Sequence, residues 1–310
     1  MANRFQVAVE NVWLHRLSLI TACATFVLLF IGGLVTSKGV GLAVPDWPTT
    51  FGANMFLFPW SKMTGGVFYE HSHRLVASGV GLLTLIMALL FWIFESRRWI
   101  RWLGLTALAL VISQGVIGGL RVVLLERTLA VIHGSLAQAF FALMVSLVLF
   151  TSKEWGDEIE EPPAPEVQSL FRHALLTTGL IYLQGIFGSV LRYTGAVLEV
   201  HLLLAFLVAL HAILLTLRAV KSCSDQPKLS FPALLLSGLL VLQLALGLGS
   251  YIGKFAPFGL GLSPLAVVFL TTTHVVTGAL MLVTSLVVAL RSYRMQGWPT
   301  DKVFREQVAS

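Results

Sequence analysis

"FYEHSHRLVASGVGLLTLIMALLFWIF" occupies residues 68–94. From Leu75 to Phe94 it carries no charged side chain, and a run of about 20 apolar residues is long enough to cross a bilayer core as a helix. Just ahead of that run stand Glu70, His71, His73 and Arg74, side chains that are costly to bury in lipid. Seven further apolar runs lie at approximately 17–36, 99–120, 129–150, 170–191, 200–219, 231–252 and 265–290. The first follows a polar lead without a small-residue cleavage site, so it reads as a retained span rather than a signal peptide. Runs of this length are helices, because backbone groups in lipid must be paired within their own segment. The composition agrees: 12% of the residues are charged, against roughly a quarter in a soluble domain. The expected fold is an all-α integral membrane protein with eight transmembrane helices.

The net charge of +6 reads as topology, not as a nucleic-acid surface. Eight spans put both termini on one side. That side holds Arg4, Arg16, Arg97, Arg98, Arg101, Lys153, Arg172, Arg218, Lys221, Lys228, Arg291, Arg294, Lys302 and Arg305. The other has Lys38, Lys62, Arg74, Arg121, Arg127, Arg192 and Lys254. Fourteen basic residues against seven place both termini in the cytoplasm, with the chain multi-pass in a cell (inner or plasma) membrane. Cys23 and Cys223 make no disulfide framework.

The acidic, proline-bearing stretch "TSKEWGDEIEEPPAPEVQS" (151–169) splits the spans four and four. Residues 1–150 and 169–310 therefore read as two halves joined by a cytoplasmic linker at 151–168. "QGVIGGLR" (114–121) resembles "QGIFGSVLR" (184–192) and "QLALGLGS" (243–250). Small residues four apart in them, Gly115/Gly119 and Gly185/Ser189, would let membrane helices approach closely. His73 precedes Gln114 by 41 residues and His201 precedes Gln243 by 42, each glutamine being followed by His133 or His274 in the next span. An internal duplication explains the register and predicts two pseudo-symmetric four-helix bundles.

His73, His133, His201 and His274 all fall near the non-cytoplasmic ends of even-numbered spans. A lone membrane histidine is as often an interhelical hydrogen bond as a ligand; four in equivalent places point to function. Each half offers two imidazoles, no thiolate and few acids, which suits the axial positions of a heme better than a bare metal. Arg74, Arg121, Arg127, Arg192 and Lys254 are candidate partners for heme propionates, or ordinary interfacial side chains. His15 and His173, at cytoplasmic helix starts, read as solvated. His211 lies about 15 Å along the helix from His201 and reads as a hydrogen-bonded core histidine. His71, two residues from His73, faces another way.

The chain resembles the heme A synthase family, whose members convert heme O to heme A for cytochrome oxidases. The residues that carry the likeness are "GGLVTSKGVGLAVPDWPTTFG" (32–52), "EHSHRLVA" (70–77), "QGVIGGLR", His133 with "GSLAQ", "GSVLRYTGA" (188–196), His201 and His274. The resemblance implies that His73 and His133 bracket the substrate heme O, and that His201 and His274 ligate a resident heme b. It implies an oxidoreductase acting on a heme methyl group. Some members have a cysteine pair in the first outer loop; Ser37 and Val44 stand in the corresponding places here, so no role of such a pair carries over.

The halves differ. Glu70 lies one turn before His73 on the same face, whereas Leu198 precedes His201. The loop 41–69 also occurs only in the first half, where it reads as a lid or as an ordinary surface loop. A carboxylate at one pair alone suggests chemistry there, with Glu70 as catalytic base or stabilising charge, and electron handling at the other. A di-heme cytochrome b relaying electrons from quinol has no use for that asymmetry. An eight-span transporter would be expected to have inverted halves. The expected partners are heme O, the enzyme that produces it, an electron acceptor, lipid and a second copy of the chain in a homo-oligomer.

Overall fold

The structure, a computed structural model, describes residues 11–156, 165–255 and 261–296. The middle of the linker (157–164), part of the loop before the last span (256–260), and Arg4, Lys302 and Arg305 lie outside the described residues. The helices are α1 (Val12–Ser37), α2 (Gly65–Phe94), α3 (Arg98–Val123), α4 (Arg127–Phe150), a one-turn α5 (Lys153–Gly156), α6 (Pro165–Thr194), α7 (Leu198–Ser222), α8 (Pro227–Lys254) and α9 (Pro264–Met295). Among the described residues, eight of these are long and apolar enough to cross a membrane, and no strand occurs beyond an isolated bridge between Thr50 and Ala53.

Local chemistry sets the helix ends. The Asn11 side chain caps α1, and Ser263 caps α9 ahead of Pro264 at its first position. At the other end of α1, Gly39 takes φ +69°, a conformation that favours glycine. Its N–H donates to Thr36 O while the Val40 N–H donates to Val35 O, a Schellman closure.

In sequence, α1 to α4 pack each on the next, and α4 packs back on α1; α6 to α9 do the same. Within each ring, α2 and α4, or α7 and α9, stand diagonally. The rings join through α1 with α9 and through α4 with α6 and α9. The spanning helices turn apolar faces outward, as a lipid solvent allows: no more than 28% of the apolar window of the other seven is buried in the protein, against 56% for α9. Buried Thr and Ser line α9 (Thr271, Thr272, Thr277, Thr284, Ser285, Ser292), small side chains that permit close approach without hydrophobic help.

Each ring has a packed end and an imidazole end. Met87, Phe91, Ile100, Phe140, Met144 and Leu147 fill the first ring toward the start of α1, and Leu170, Leu215, Leu229 and Leu236 fill the second at the same end. The four histidines lie at the opposite end. The packing expected of Gly115 and Gly185 is not there, since a Cβ at either would meet nothing within 4 Å. The cysteines are free, Cys23 exposed and Cys223 buried.

Candidate functional site

α2 begins ten residues before its apolar run, so Glu70, His71, His73 and Arg74 stand inside the helix rather than at its mouth. A buried ion pair makes this affordable: Arg74 Nη2 lies 2.9 Å from Glu70 Oε1, one turn apart, and Glu70 is only 4% exposed. The other carboxylate oxygen, Oε2, accepts the Val44 N–H at 2.9 Å.

The loop 38–64 is tied down over this end of the first ring. Arg74 donates to the carbonyls of Asp46 (2.7 Å), Thr49 (3.1 Å) and Val44 (3.0 Å). Arg121 donates to Gly41 O at 2.6 Å. His71, buried, meets the Thr50 hydroxyl at 3.1 Å and the Phe58 ring at 5.2 Å between centroids. The Trp47 ring lies on Gly119 of α3, where a Cβ would fall 2.2 Å from the nearest ring atom. Asp46 folds the loop on itself, accepting from Thr49 Oγ1 and from the Phe51 and Gly52 N–H groups, both at 2.8 Å. Burial pushes the Asp46 carboxyl up, but the Gly52, Thr49 and Phe51 hydrogen bonds outweigh it and hold the pKa at about 2. Phe56, Leu57 and Trp60 project outward, as aromatic and apolar side chains do at a membrane interface.

Each of the four histidines rests against a glycine of the preceding long helix. A Cβ at Gly32, Gly188 or Gly247 would stand 3.1 Å from Cε1 of His73, His201 or His274, and one at Gly118 would stand 2.9 Å from Cε1 of His133. Glutamines sit one turn before three of these glycines. Gln114 Nε2 donates to His133 O (3.2 Å) and Gln184 Nε2 to His201 O (3.0 Å). In the second ring the imidazoles are also engaged: His201 Nε2 lies 3.4 Å from Gln184 Nε2, and His274 has Nδ1 3.2 Å from Gln243 O and Nε2 3.4 Å from Gln243 Nε2. The rings of His73 and His133 have no such contact; their buried Nδ1 atoms, like that of His201, make no hydrogen bond within the protein. His201 and His274 have centroids 6.4 Å apart. Among the described residues no three of His, Cys, Asp or Glu gather to hold a bare metal ion.

The glycine seats escaped the reading by residue type, although Gln-x-x-x-Gly recurs at 114/118, 184/188 and 243/247. Leu28 fills that register in α1, so His73 has no glutamine. His15 and His173 are not solvated as expected. His15 Nδ1 lies 3.1 Å from Val148 O, and His173 Nε2 lies 3.3 Å from His211 Nδ1; both rings are half-buried and find partners on neighbouring helices, His173 two turns inside α6. His211 is thus a hydrogen-bonded, half-buried histidine, as read. Of the candidate propionate partners, Arg74, Arg121 and Arg192 donate to backbone carbonyls, while Arg127 and Lys254 are exposed.

A family model described as COX15-CtaA, cytochrome oxidase assembly protein, matches residues 15–201. The chain belongs to this family. It is 31% identical over 187 residues to a heme A synthase of Shouchella clausii, covering 59% of this chain and 58% of that protein. It is 29% identical over 159 residues to a heme A synthase of Alkalihalophilus pseudofirmus, covering 50% of this chain and 51% of that one. The alignments thus span between 51% and 58% of these relatives' own length. The family match takes in the loop, Glu70, His73 and His133 and ends at His201; Gln243 and His274 lie beyond it, on α8 and α9.

Proposed function

We propose that the protein is a membrane heme A synthase, an oxidoreductase that converts a methyl group of heme O to a formyl group. The observation that carries this reading is the one-sided clamp: among the described residues, the His73–His133 pair alone has a buried carboxylate beside it, Glu70, tied to a loop by Val44 and Arg74. A symmetric di-heme electron carrier gives that asymmetry nothing to do.

The N-terminal half, 1–150, would take heme O between His73 and His133, and the C-terminal half, 169–310, would hold heme b between His201 and His274. The donor sets fit. His201 and His274, with ring centroids 6.4 Å apart, would hold the resident heme. His274 Nδ1 can donate to Gln243 O, and Nε2 would be the ligand nitrogen once it gives up its 3.4 Å contact with Gln243 Nε2. The imidazoles of His73 and His133, free of side-chain hydrogen bonds, suit a group that arrives and leaves. A heme b supplies one-electron storage beside the substrate. The substrate methyl would take one oxygen atom from water and give up four electrons and four protons on its way to an aldehyde, so an electron acceptor is among the partners, as is the enzyme that supplies heme O.

In this scheme Glu70 acts chiefly as a fixed negative charge beside an electron-poor substrate carbon, because Arg74 and the Val44 N–H occupy both its oxygens. The loop over it would shield the site from bulk solvent. Both termini would face the cytoplasm. The test is to supply heme O to the purified protein with an oxidant, extract with acid and weigh the product by mass spectrometry. Heme A supports the assignment, and heme O recovered unchanged overturns it.

A further inference from the structure

Arg192 closes the last turn of α6 in the second ring, yet its hydrogen bonds go to the first. Nη2 donates to Gly33 O at 2.9 Å and to Ser37 Oγ at 2.7 Å, both on α1. From α9, Thr272 Oγ1 reaches the same Ser37 Oγ at 2.8 Å and Thr271 Oγ1 reaches it at 3.1 Å. Three groups from two helices of the second ring therefore converge on one hydroxyl of the first. Tyr193, next to Arg192, adds a contact of 3.3 Å between its hydroxyl and that of Thr36.

The neighbours of these residues are the imidazole seats. Gly32 bears on His73, and the next residue, Gly33, lets α9 close in: a Cβ there would stand 3.2 Å from Thr272 Cγ2. Thr272 is two residues before His274, and Arg192 is one turn after Gly188, the seat of His201. A slip between the rings at this junction would move His73 relative to His201 and His274. A cation at the carboxyl end of α1 is also favoured by the helix dipole.

We propose that Arg192, Ser37 and Thr272 form a latch between the two rings, and that Arg192 is a positioning residue that sets the His73 seat against those of His201 and His274. The proposal rests on the reading of the two histidine pairs as heme sites. It competes with a direct role of Arg192 at a heme propionate, and the two make different demands. A latch needs Ser37 and Thr272 as much as Arg192; a propionate contact needs Arg192 alone.

The experiment compares Arg192→Gln, Ser37→Ala, Thr272→Val and the Arg192→Gln/Ser37→Ala double variant in the full-length protein. Three quantities are read: thermal unfolding in detergent, the heme absorption spectrum, and kcat and KM for heme O. Contacting residues couple, so the double variant should melt little lower than the worse single variant. All three single variants should keep the bis-imidazole spectrum and the KM, while kcat falls by about 10- to 100-fold, the scale of a misplacement remote from the chemistry. Additive melting losses would overturn the latch. So would loss of heme or activity in Arg192→Gln with Ser37→Ala and Thr272→Val unaffected, which would assign Arg192 to the heme itself. Non-additive melting in a protein with no bis-imidazole spectrum would uphold the latch and bring down the two-heme reading instead.

Discussion

His133 lies against bare backbone at Gly118: a Cβ built there would stand 2.9 Å from the imidazole Cε1, closer than real side chains come. The same relation recurs at 3.1 Å for Gly32 with His73, Gly188 with His201 and Gly247 with His274. A glycine inside a helix costs about 1 kcal/mol relative to alanine, so four of them at imidazole edges are best explained by what they make room for. Gly118→Ala should tilt the His133 ring and weaken heme O binding by about tenfold, roughly the 1–3 kcal/mol of an overpacked site. Gly115→Ala, three residues away with nothing within 4 Å of the added methyl, is the control and should bind normally. A titration of heme O followed by absorbance separates the two.

The hydrogen bonding of the two pairs predicts different losses. His274→Ala removes a ring held by Gln243 and should abolish the resident low-spin heme signal while the protein still inserts in the membrane. His73→Ala removes a ring with no side-chain partner in another ring of helices, so most of that signal should survive while heme A formation stops. A full bis-imidazole spectrum in His274→Ala would refute the ligand assignment.

Gly119 and Trp47 test the loop. The indole sits where a Gly119 Cβ would go, so Gly119→Ala must push Trp47 off α3. The loop should then become sensitive to protease between residues 41 and 53, and heme O turnover should fall with it. Protection equal to the unsubstituted protein would mean that Trp47 does not hold the loop.

The eight spans were legible because lipid leaves no other way to hide a backbone over runs of some twenty residues. The histidine pairs were legible through their register. Helix starts were not, because apolar run length says nothing of polar turns that are paired internally. Glu70 and Arg74 pair one turn apart inside α2, which begins at Gly65. The glycine seats left only the recurring Gln-x-x-x-Gly, which does not say what the glycine faces, and the Ser37–Arg192 junction depends on which faces of distant helices meet, which no spacing along one helix records.

Asp46 gives a pH dependence with a definite sign. Its folded pKa of about 2 lies below the ordinary 3.8, so its anchoring of the loop is fully present above the ordinary value and is lost as pH falls through the folded one. Protection of the Phe51 and Gly52 amides, taken relative to intrinsic exchange at each pH, should fall between about pH 4 and pH 2 in the unsubstituted protein. In Asp46→Asn that protection should already be low at neutral pH and nearly flat with acid. A flat profile in the unsubstituted protein would show that Asp46 carries no such load.

Glu70→Gln separates charge from shape. The amide keeps one acceptor for the loop, but its NH2 group opposes a donor, either Arg74 Nη2 or the Val44 N–H. Losing a charge-assisted hydrogen bond costs about 1.5–3 kcal/mol, so some loosening of the loop is expected whatever the chemistry. Asp46→Asn supplies the comparison, because it loosens the same loop from its far side and leaves the carboxylate in place. If the Glu70 charge acts on the substrate, Glu70→Gln should still bind heme O but convert it about 10²–10⁴-fold more slowly, with Asp46→Asn losing much less. Equal losses in the two variants, measured as heme A formed per folded molecule, would make Glu70 an anchor of the loop and leave the reacting carbon without a carboxylate.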